Sequence, residues 1–94
     1  MVPYDTVEEY TRKQEGYVEH VRIRRTDDQK YPSGWDYTLH YGTTDGETLL
    51  RYDNAHERMK GHERHTTDAV AQIEFPGVSA LLARFQREVD ALPP

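Results

Sequence analysis

The sequence contains no cysteine among its 94 residues. This absence excludes disulfide bonds, thiolate metal sites and a cysteine nucleophile. No apolar run approaches the roughly 18 residues that a membrane-spanning helix needs, and the segment MVPYDTVEEY has no apolar core of the kind that signal peptides carry. These absences predict a cytoplasmic protein that does not contact a membrane.

Hydrophobic residues are also scarce, at 35% of the chain, although seven tyrosines, two phenylalanines and one tryptophan supply large rings. Because one aromatic side chain can bury on the order of 150–250 Å², we expect a thin core that is rich in rings. The formal net charge is −5, so any contact with nucleic acid has to be local. The length predicts a single domain over residues 1–94.

The residue pattern predicts an α+β fold, in which a four-stranded, mainly antiparallel sheet carries two helices on one face. Asp5 and Glu8 form a capping pair and Gly16 is a helix stop, so we expect a short N-terminal helix over about residues 6–14. Apolar spacings of three and four from Val78 to Leu92 predict an amphipathic C-terminal helix. The polar, aperiodic segment 55–68 is interpreted as a loop. The predicted strands are residues 17–25, 35–41, 48–53 and 69–75.

Histidine and charged side chains concentrate between Arg51 and His65, where three of the five histidines fall. A histidine can exchange a proton near neutral pH, and an arginine can hold a phosphate and neutralise charge in a transition state. This combination favours metal-independent cleavage of a phosphodiester. The candidate groups are His56, His62 and His65 for proton transfer, Arg51 and Arg64 for the phosphate, and Asp53 as an orienting carboxylate.

Three other interpretations of this segment stay open. Because His62 and His65 are three residues apart, they could bind a metal ion with His56 and Asp53 as further ligands. The segment could also be a solvated loop, in which Asp53 pairs with Arg51 across strands. Finally, its positive charge could recognise a protein or a nucleic acid without breaking any bond.

Further basic residues lie before this segment. Arg22, Arg24 and Arg25 form, with His20, a basic strand end that can guide a phosphate backbone. His40 alternates with the aromatic residues of its strand, so it lies on the opposite face of the sheet from them. It shares a site with Arg51 only if the pairing register brings the two together, and sequence alternation does not determine the register.

The chain resembles the TumE family, small prokaryotic proteins described as toxins of type II toxin–antitoxin pairs, from about Tyr17 to the C-terminal helix. The resemblance lies in the run WDYTLHY at 35–41, in Asp45-Gly46 and, most specifically, in RYDNA at 51–55 and GHERH at 61–65. Relatives often carry a proline or a further histidine between the last two motifs, where this chain has ERMK. The characteristic family positions correspond here to Arg51, Tyr52, Asp53, Asn54, His56, Gly61, His62 and His65.

This resemblance implies a sheet-plus-helix fold and a helix-turn-helix antitoxin that neutralises the protein and represses the shared operon. Our hypothesis is therefore a toxin that cleaves RNA without a metal or other cofactor. The expected catalytic residues are Arg51, Asp53, Asn54, His56, His62 and His65. The expected substrate-binding residues are Arg22, Arg24, His40, Tyr52 and Arg64. An exposed sheet edge could also pair two chains into a homodimer.

Overall fold

The computed structural model describes residues 2–92 of the chain, and within them it places six strands in one antiparallel sheet. The strands are β1 (Tyr4–Gln14), β2 (Tyr17–Thr26), β3 (Trp35–Thr43), β4 (Thr48–Asp53), β5 (His62–Thr66) and β6 (Val70–Ile73). The helices are α1 (Glu57–Lys60) and α2 (Val78–Asp90). Each strand pairs with the next one along the chain, so the sheet is a meander.

The N-terminal segment is a strand, so the predicted helix over residues 6–14 is wrong, and so is the predicted four-stranded sheet. β1 pairs with β2 along its length, apart from a bulge between Thr6 and Glu8. Glu15 and Gly16 both have positive φ, at 52° and 85°, which is the conformation of a two-residue hairpin turn. The glycine that suggested the end of a helix therefore closes a β-hairpin.

The segment 55–68, interpreted above as a loop, contains α1 and the strand β5. Apolar alternation could not reveal β5, because this strand carries polar side chains on both faces. Two of these side chains lie on the α2 side of the sheet, where His62 bonds to Tyr37 of β3 and Arg64 bonds to Glu88 of α2. Because these polar groups find partners, this face of β5 needs no apolar stripe.

The predicted C-terminal helix is confirmed as α2, and the predicted strands from residue 17 to residue 53 are confirmed as β2, β3 and β4. α2 packs Leu81 and Phe85 against the sheet, and burial of each contributes on the order of 1.5–3 kcal/mol. Within residues 2–92 no helix is long and apolar enough to cross a membrane. The buried hydrophobic cluster consists of Val21, Ile23, Tyr37, Leu39, Tyr41, Leu50, Tyr52, Leu81 and Phe85.

The face of the sheet turned away from α2 is polar, and we call it the open face. The strand register aligns its side chains in rows that run across the strands. One row consists of His20, His40, Arg51 and His65, and the next row consists of Arg22, Thr38, Asp53 and Glu63. Three histidines and several charged groups from four strands therefore lie on one surface.

Candidate functional site

A cavity of about 360 Å³ lies on the open face, where β4 and β5 meet the start of α1. We call it the β4–β5 cavity, and its lining residues are Thr38, Arg51, Asp53, Ala55, His56, Lys60, Glu63 and His65. The strands supply the side chains that face into it from one sheet surface, and the turn into α1 supplies the others. Four of the six catalytic residues that the sequence suggested therefore line one cavity.

Arg51 is held at the centre of this cavity by partners on two strands. Its Nε lies 2.8 Å from Oδ2 of Asp53, and its Nη2 lies 3.4 Å from Nε2 of His65, which is its register partner on β5. The side chain of Asp53 is largely buried, and its Oδ1 accepts a hydrogen bond from the backbone N–H of Ala55. The Arg51 side chain is 38% exposed. Its Nε, although close to Asp53, makes no hydrogen bond within residues 2–92, and part of the guanidinium remains accessible to a ligand.

The cavity also contains a carboxylate that sequence reasoning missed. Glu63 faces Asp53 across the β4–β5 pair, and its Oε1 lies 3.4 Å from Nε2 of His65. Within residues 2–92, donor atoms of Asp53, Glu63 and His65 lie within 4.8 Å of one another, so these residues could hold a divalent cation. The spacing of two between Glu63 and His65 would have revealed their shared face, had this segment been recognised as a strand.

His56 and Lys60 complete the cavity from the α1 side. His56 precedes α1 with φ 61° and ψ 40°, a left-handed conformation that histidine adopts more readily than most residues. This conformation turns the chain out of β4, and it leaves the His56 side chain exposed at the rim of the cavity. His56 and His65 therefore stand at the rim and at the wall of the same cavity.

Asn54 belongs to a buried hydrogen-bond network and does not line the cavity. Its Oδ1 accepts a hydrogen bond of 3.0 Å from the backbone N–H of Tyr37. Its Nδ2 donates to the carbonyl of Trp35 and to Oε2 of Glu57, both at 2.6 Å. Glu57 is itself buried and accepts two more hydrogen bonds from Ser33. Asn54 thus ties β3 to the start of α1.

His62 lies on the α2 side of the sheet, away from the cavity. Its Nδ1 is 2.8 Å from the hydroxyl of Tyr37, and its ring stacks on Phe75 at 4.6 Å between centroids. Burial lowers the pKa of His62, and the nearby carboxylate of Glu57 opposes this shift. The histidine-based metal set suggested by the sequence therefore does not come together, because His62 and His65 lie on opposite faces.

Two of the expected substrate-binding residues, Tyr52 and Arg64, also lie on the α2 side. Tyr52 is fully buried, and its hydroxyl donates a hydrogen bond to Glu88. Burial and this hydrogen bond raise the pKa of Tyr52. Arg64 Nη2 lies 2.5 Å from Oε2 of the same glutamate. Both residues fasten α2 to the sheet.

The other expected substrate-binding residues, Arg22, Arg24 and His40, lie on the open face but outside the cavity. Arg24 is paired with Asp36. The Nε of Arg22 is buried and makes no hydrogen bond within residues 2–92. His40 Nε2 is 3.1 Å from the hydroxyl of Thr48. These side chains extend the polar surface beyond the cavity.

His40 is expected to make the stability of the protein depend on pH. Burial, and then the charges of Arg51 and His20, lower the pKa of His40 below its ordinary value of 6.5. The unfolded chain therefore binds a proton before the folded chain does, and the free energy of unfolding falls as the pH drops below about 6.5. Urea titrations at several pH values should show this decrease, and His40→Gln should reduce it. His62, whose pKa is also lowered by burial, should account for part of the remaining decrease.

Thr48→Val is the matched control for this effect, because it removes the hydrogen bond to His40 and keeps the imidazole. We expect this variant to retain the decrease in stability at low pH. An unchanged pH dependence in His40→Gln would contradict the assignment to His40.

The family model described as "Toxin TumE" matches residues 2–93. No curated protein and no solved structure matches the chain. The match spans every strand and both helices described above, and it includes all of the residues that line the β4–β5 cavity.

Proposed function

The chain belongs to the TumE toxin family, and we propose that it is a toxin that cleaves RNA at the β4–β5 cavity. The observation that supports this proposal is that the partly exposed guanidinium of Arg51 lines one cavity with His56 and His65. A phosphate-binding cation beside a proton-exchanging group is an arrangement suited to phosphodiester cleavage.

Arg51 is the group that we assign to the phosphate. Its ion pair with Asp53 keeps the guanidinium beside the cavity before a phosphate binds. Lys60 at the cavity rim adds a second positive charge. Negative charge grows on the phosphate oxygens in the transition state, and fixed positive groups stabilise that charge more than they stabilise the ground state.

We propose that the 2′-hydroxyl of RNA attacks the neighbouring phosphorus. His56 accepts the proton of this hydroxyl while the 2′-oxygen–phosphorus bond forms. The bond from phosphorus to the 5′-oxygen breaks, and its electron pair stays on that oxygen. The 5′-oxygen then takes a proton from a water on the side of the cavity formed by Asp53 and His65. The hydroxide left behind takes up the proton that His56 accepted, so His56 returns to its neutral form. The products are a 2′,3′-cyclic phosphate and a 5′-hydroxyl.

The RNA strand is expected to leave the cavity along the open face. Arg22 and His40 lie in the same two rows as the cavity residues, on β2 and β3. Since the protein carries a formal net charge of −5, RNA binding depends on such local groups and should weaken strongly with added salt.

A toxin family implies an antitoxin partner, and we propose that this partner is a helix-turn-helix protein. Production of the chain alone is expected to arrest growth, and co-production of the neighbouring helix-turn-helix protein is expected to restore it. Growth arrest that such a protein fails to relieve would contradict the proposed partner.

Incubation of purified protein with a short RNA tests the cleavage itself. We expect fragments that end in a 2′,3′-cyclic phosphate, identified by mass spectrometry. A matched RNA with a single 2′-deoxyribose at the cleaved position should not be cut there, because it lacks the attacking hydroxyl. Binding of RNA without any cleavage would contradict the enzymatic proposal and would favour a non-catalytic binding module.

His56→Ala tests the proton transfer. Because general base catalysis contributes typically about 10²–10⁴-fold, we expect cleavage to fall by about 10²-fold at unchanged RNA affinity. His56 is exposed, so the folded structure should be retained and imidazole from solution can take its place. Added imidazole should therefore restore part of the activity. Full activity in His56→Ala would rule out its role as the base.

A further inference from the structure

We infer that Asp53, Glu63 and His65 bind one divalent cation of the zinc class. This set differs from the histidine set that the sequence suggested, since it has one histidine and two carboxylates, all on the open face. The role of the cation in cleavage rests on the proposed function above. Binding of the cation does not, because it follows from the geometry of three side chains.

The distances around His65 are those of ligands that share a metal. Bonds of about 2.1 Å in a tetrahedral zinc site place neighbouring donor atoms about 3.4 Å apart. Nε2 of His65 lies 3.4 Å from Oε1 of Glu63 and 3.5 Å from Oδ2 of Asp53. Neither contact has the geometry of a hydrogen bond, so the three donors converge without bonding one another.

Arg51 already places a positive charge beside two of these donors. Its Nε lies 2.8 Å from Oδ2 of Asp53, and its Nη2 lies 3.4 Å from Nε2 of His65. A divalent cation would add positive charge next to Glu63, whose Oε1 contacts the ring of His65.

The charges of the cavity lead to the same conclusion. With neutral histidines, Arg51 and Lys60 are balanced by Asp53 and Glu63, so the charged groups of the lining sum to zero. A neutral cavity attracts a phosphate poorly. One bound divalent cation raises this sum to +2. The carboxylate of Glu63, whose side chain is only 18% exposed, gains a cationic partner, whereas Asp53 already pairs with Arg51.

Three protein ligands leave the fourth position of a tetrahedral zinc ion for water, which is the arrangement of catalytic zinc sites. Zinc lowers the pKa of such a water to about 7. Such a water would be a proton source for the proposed cleavage. It could protonate the leaving 5′-oxygen and could be regenerated by the proton that His56 accepted.

Direct titration tests the cation site without any RNA. The full-length protein is stripped with EDTA, dialysed and titrated with zinc chloride in a calorimeter. We expect one zinc ion per chain. Cobalt(II) should give the intense visible absorption of a tetrahedral site, and zinc should displace it. Absence of stoichiometric zinc binding by the stripped, folded protein would overturn the inference.

Single substitutions locate the ligands. Glu63→Gln removes the charge of the side chain and changes its shape little. Loss of a supporting group around a metal lowers metal affinity by about 10–100-fold. We therefore expect loss of a direct ligand to lower zinc affinity by at least 10-fold. His56→Gln is the matched control, because His56 lies at the rim of the same cavity but outside the ligand set. Equal affinities of Glu63→Gln and the wild type would overturn the assignment, as would loss of binding in His56→Gln.

RNA cleavage is measured in parallel on the stripped and the zinc-loaded protein. The stripped protein could still cleave RNA and bind no zinc on titration. That result would overturn the cation site and leave the proposed ribonuclease activity intact. Zinc binding without cleavage overturns the ribonuclease and leaves the cation site intact. Cleavage that appears only with zinc and is lost in Glu63→Gln supports both.

Discussion

Arg51→Ala is expected to reduce RNA cleavage by about 10³-fold and to abolish growth arrest. Removal of a single preorganised donor to a developing oxyanion costs about 10²–10³-fold, and Arg51 also positions Asp53 and His65. The upper end of this range is therefore expected. The measurement is the single-turnover rate of cleavage of a labelled RNA, together with growth of cells that produce the variant.

Arg51→Lys tests whether the positive charge of Arg51 is sufficient or whether its guanidinium shape is also needed. Lysine retains the positive charge, but it lacks the planar guanidinium that can contact Asp53 and a phosphate at the same time. We therefore expect a cleavage rate between those of the wild type and Arg51→Ala. Arg87→Ala is the matched control, since Arg87 is an exposed arginine of α2. A partly exposed ion pair contributes about 0–1 kcal/mol, so Arg51→Ala should remain folded. Wild-type cleavage by a folded Arg51→Ala protein would refute the proposed site.

Asn54→Ala is expected to have the largest effect on stability, with a loss of about 3–5 kcal/mol in the free energy of unfolding. The side chain is fully buried and makes three hydrogen bonds. Its removal leaves the backbone N–H of Tyr37 and the carbonyl of Trp35 buried without this partner. Each unsatisfied buried group costs about 1–3 kcal/mol. Urea denaturation at constant pH measures the loss.

Gln72→Ala is the matched control for this prediction. Gln72 also donates a side-chain amide hydrogen bond to a backbone carbonyl, that of Lys60, but it is exposed. Water replaces its hydrogen bond, so we expect a change of less than about 1 kcal/mol. Asn54→Ala protein that is still folded at low temperature should cleave RNA, because Asn54 does not face the cavity. A stable but inactive Asn54→Ala would instead assign Asn54 to the chemistry.

Residues of the RYDNA and GHERH motifs lie on both faces of the sheet, and the two faces have different roles. Arg51, Asp53, Glu63 and His65 face the β4–β5 cavity. The alternate positions in β4 and β5 join the core or the ion pairs that hold α2. A single stretch of sequence therefore contains both the candidate site and its structural support. A substitution in these motifs affects activity or stability according to the face on which it lies.

The sequence by itself determined much of the scaffold. Alternating apolar residues identified β2 and β3, and the spacing from Val78 onward identified α2, because burial of one face requires these periods. The Asp45-Gly46 turn signal identified β4 as the return strand of a hairpin. Clustered histidines and charges located the candidate site between Arg51 and His65. His62 was grouped with the other two histidines, since spacing in sequence contains no information about faces.

Only the tertiary structure decided which of these residues meet. β5 carries polar groups on both faces, so no hydrophobic pattern revealed it, and the pairing of β5 with β4 set the register that joins His65 to Arg51. β1 was also decided by pairing, since its backbone hydrogen bonds to β2 outweigh a local capping signal. Side chains alternate between faces along a strand. The alternation in β5 places Glu63 and His65 in the cavity and His62 on the other side of the sheet.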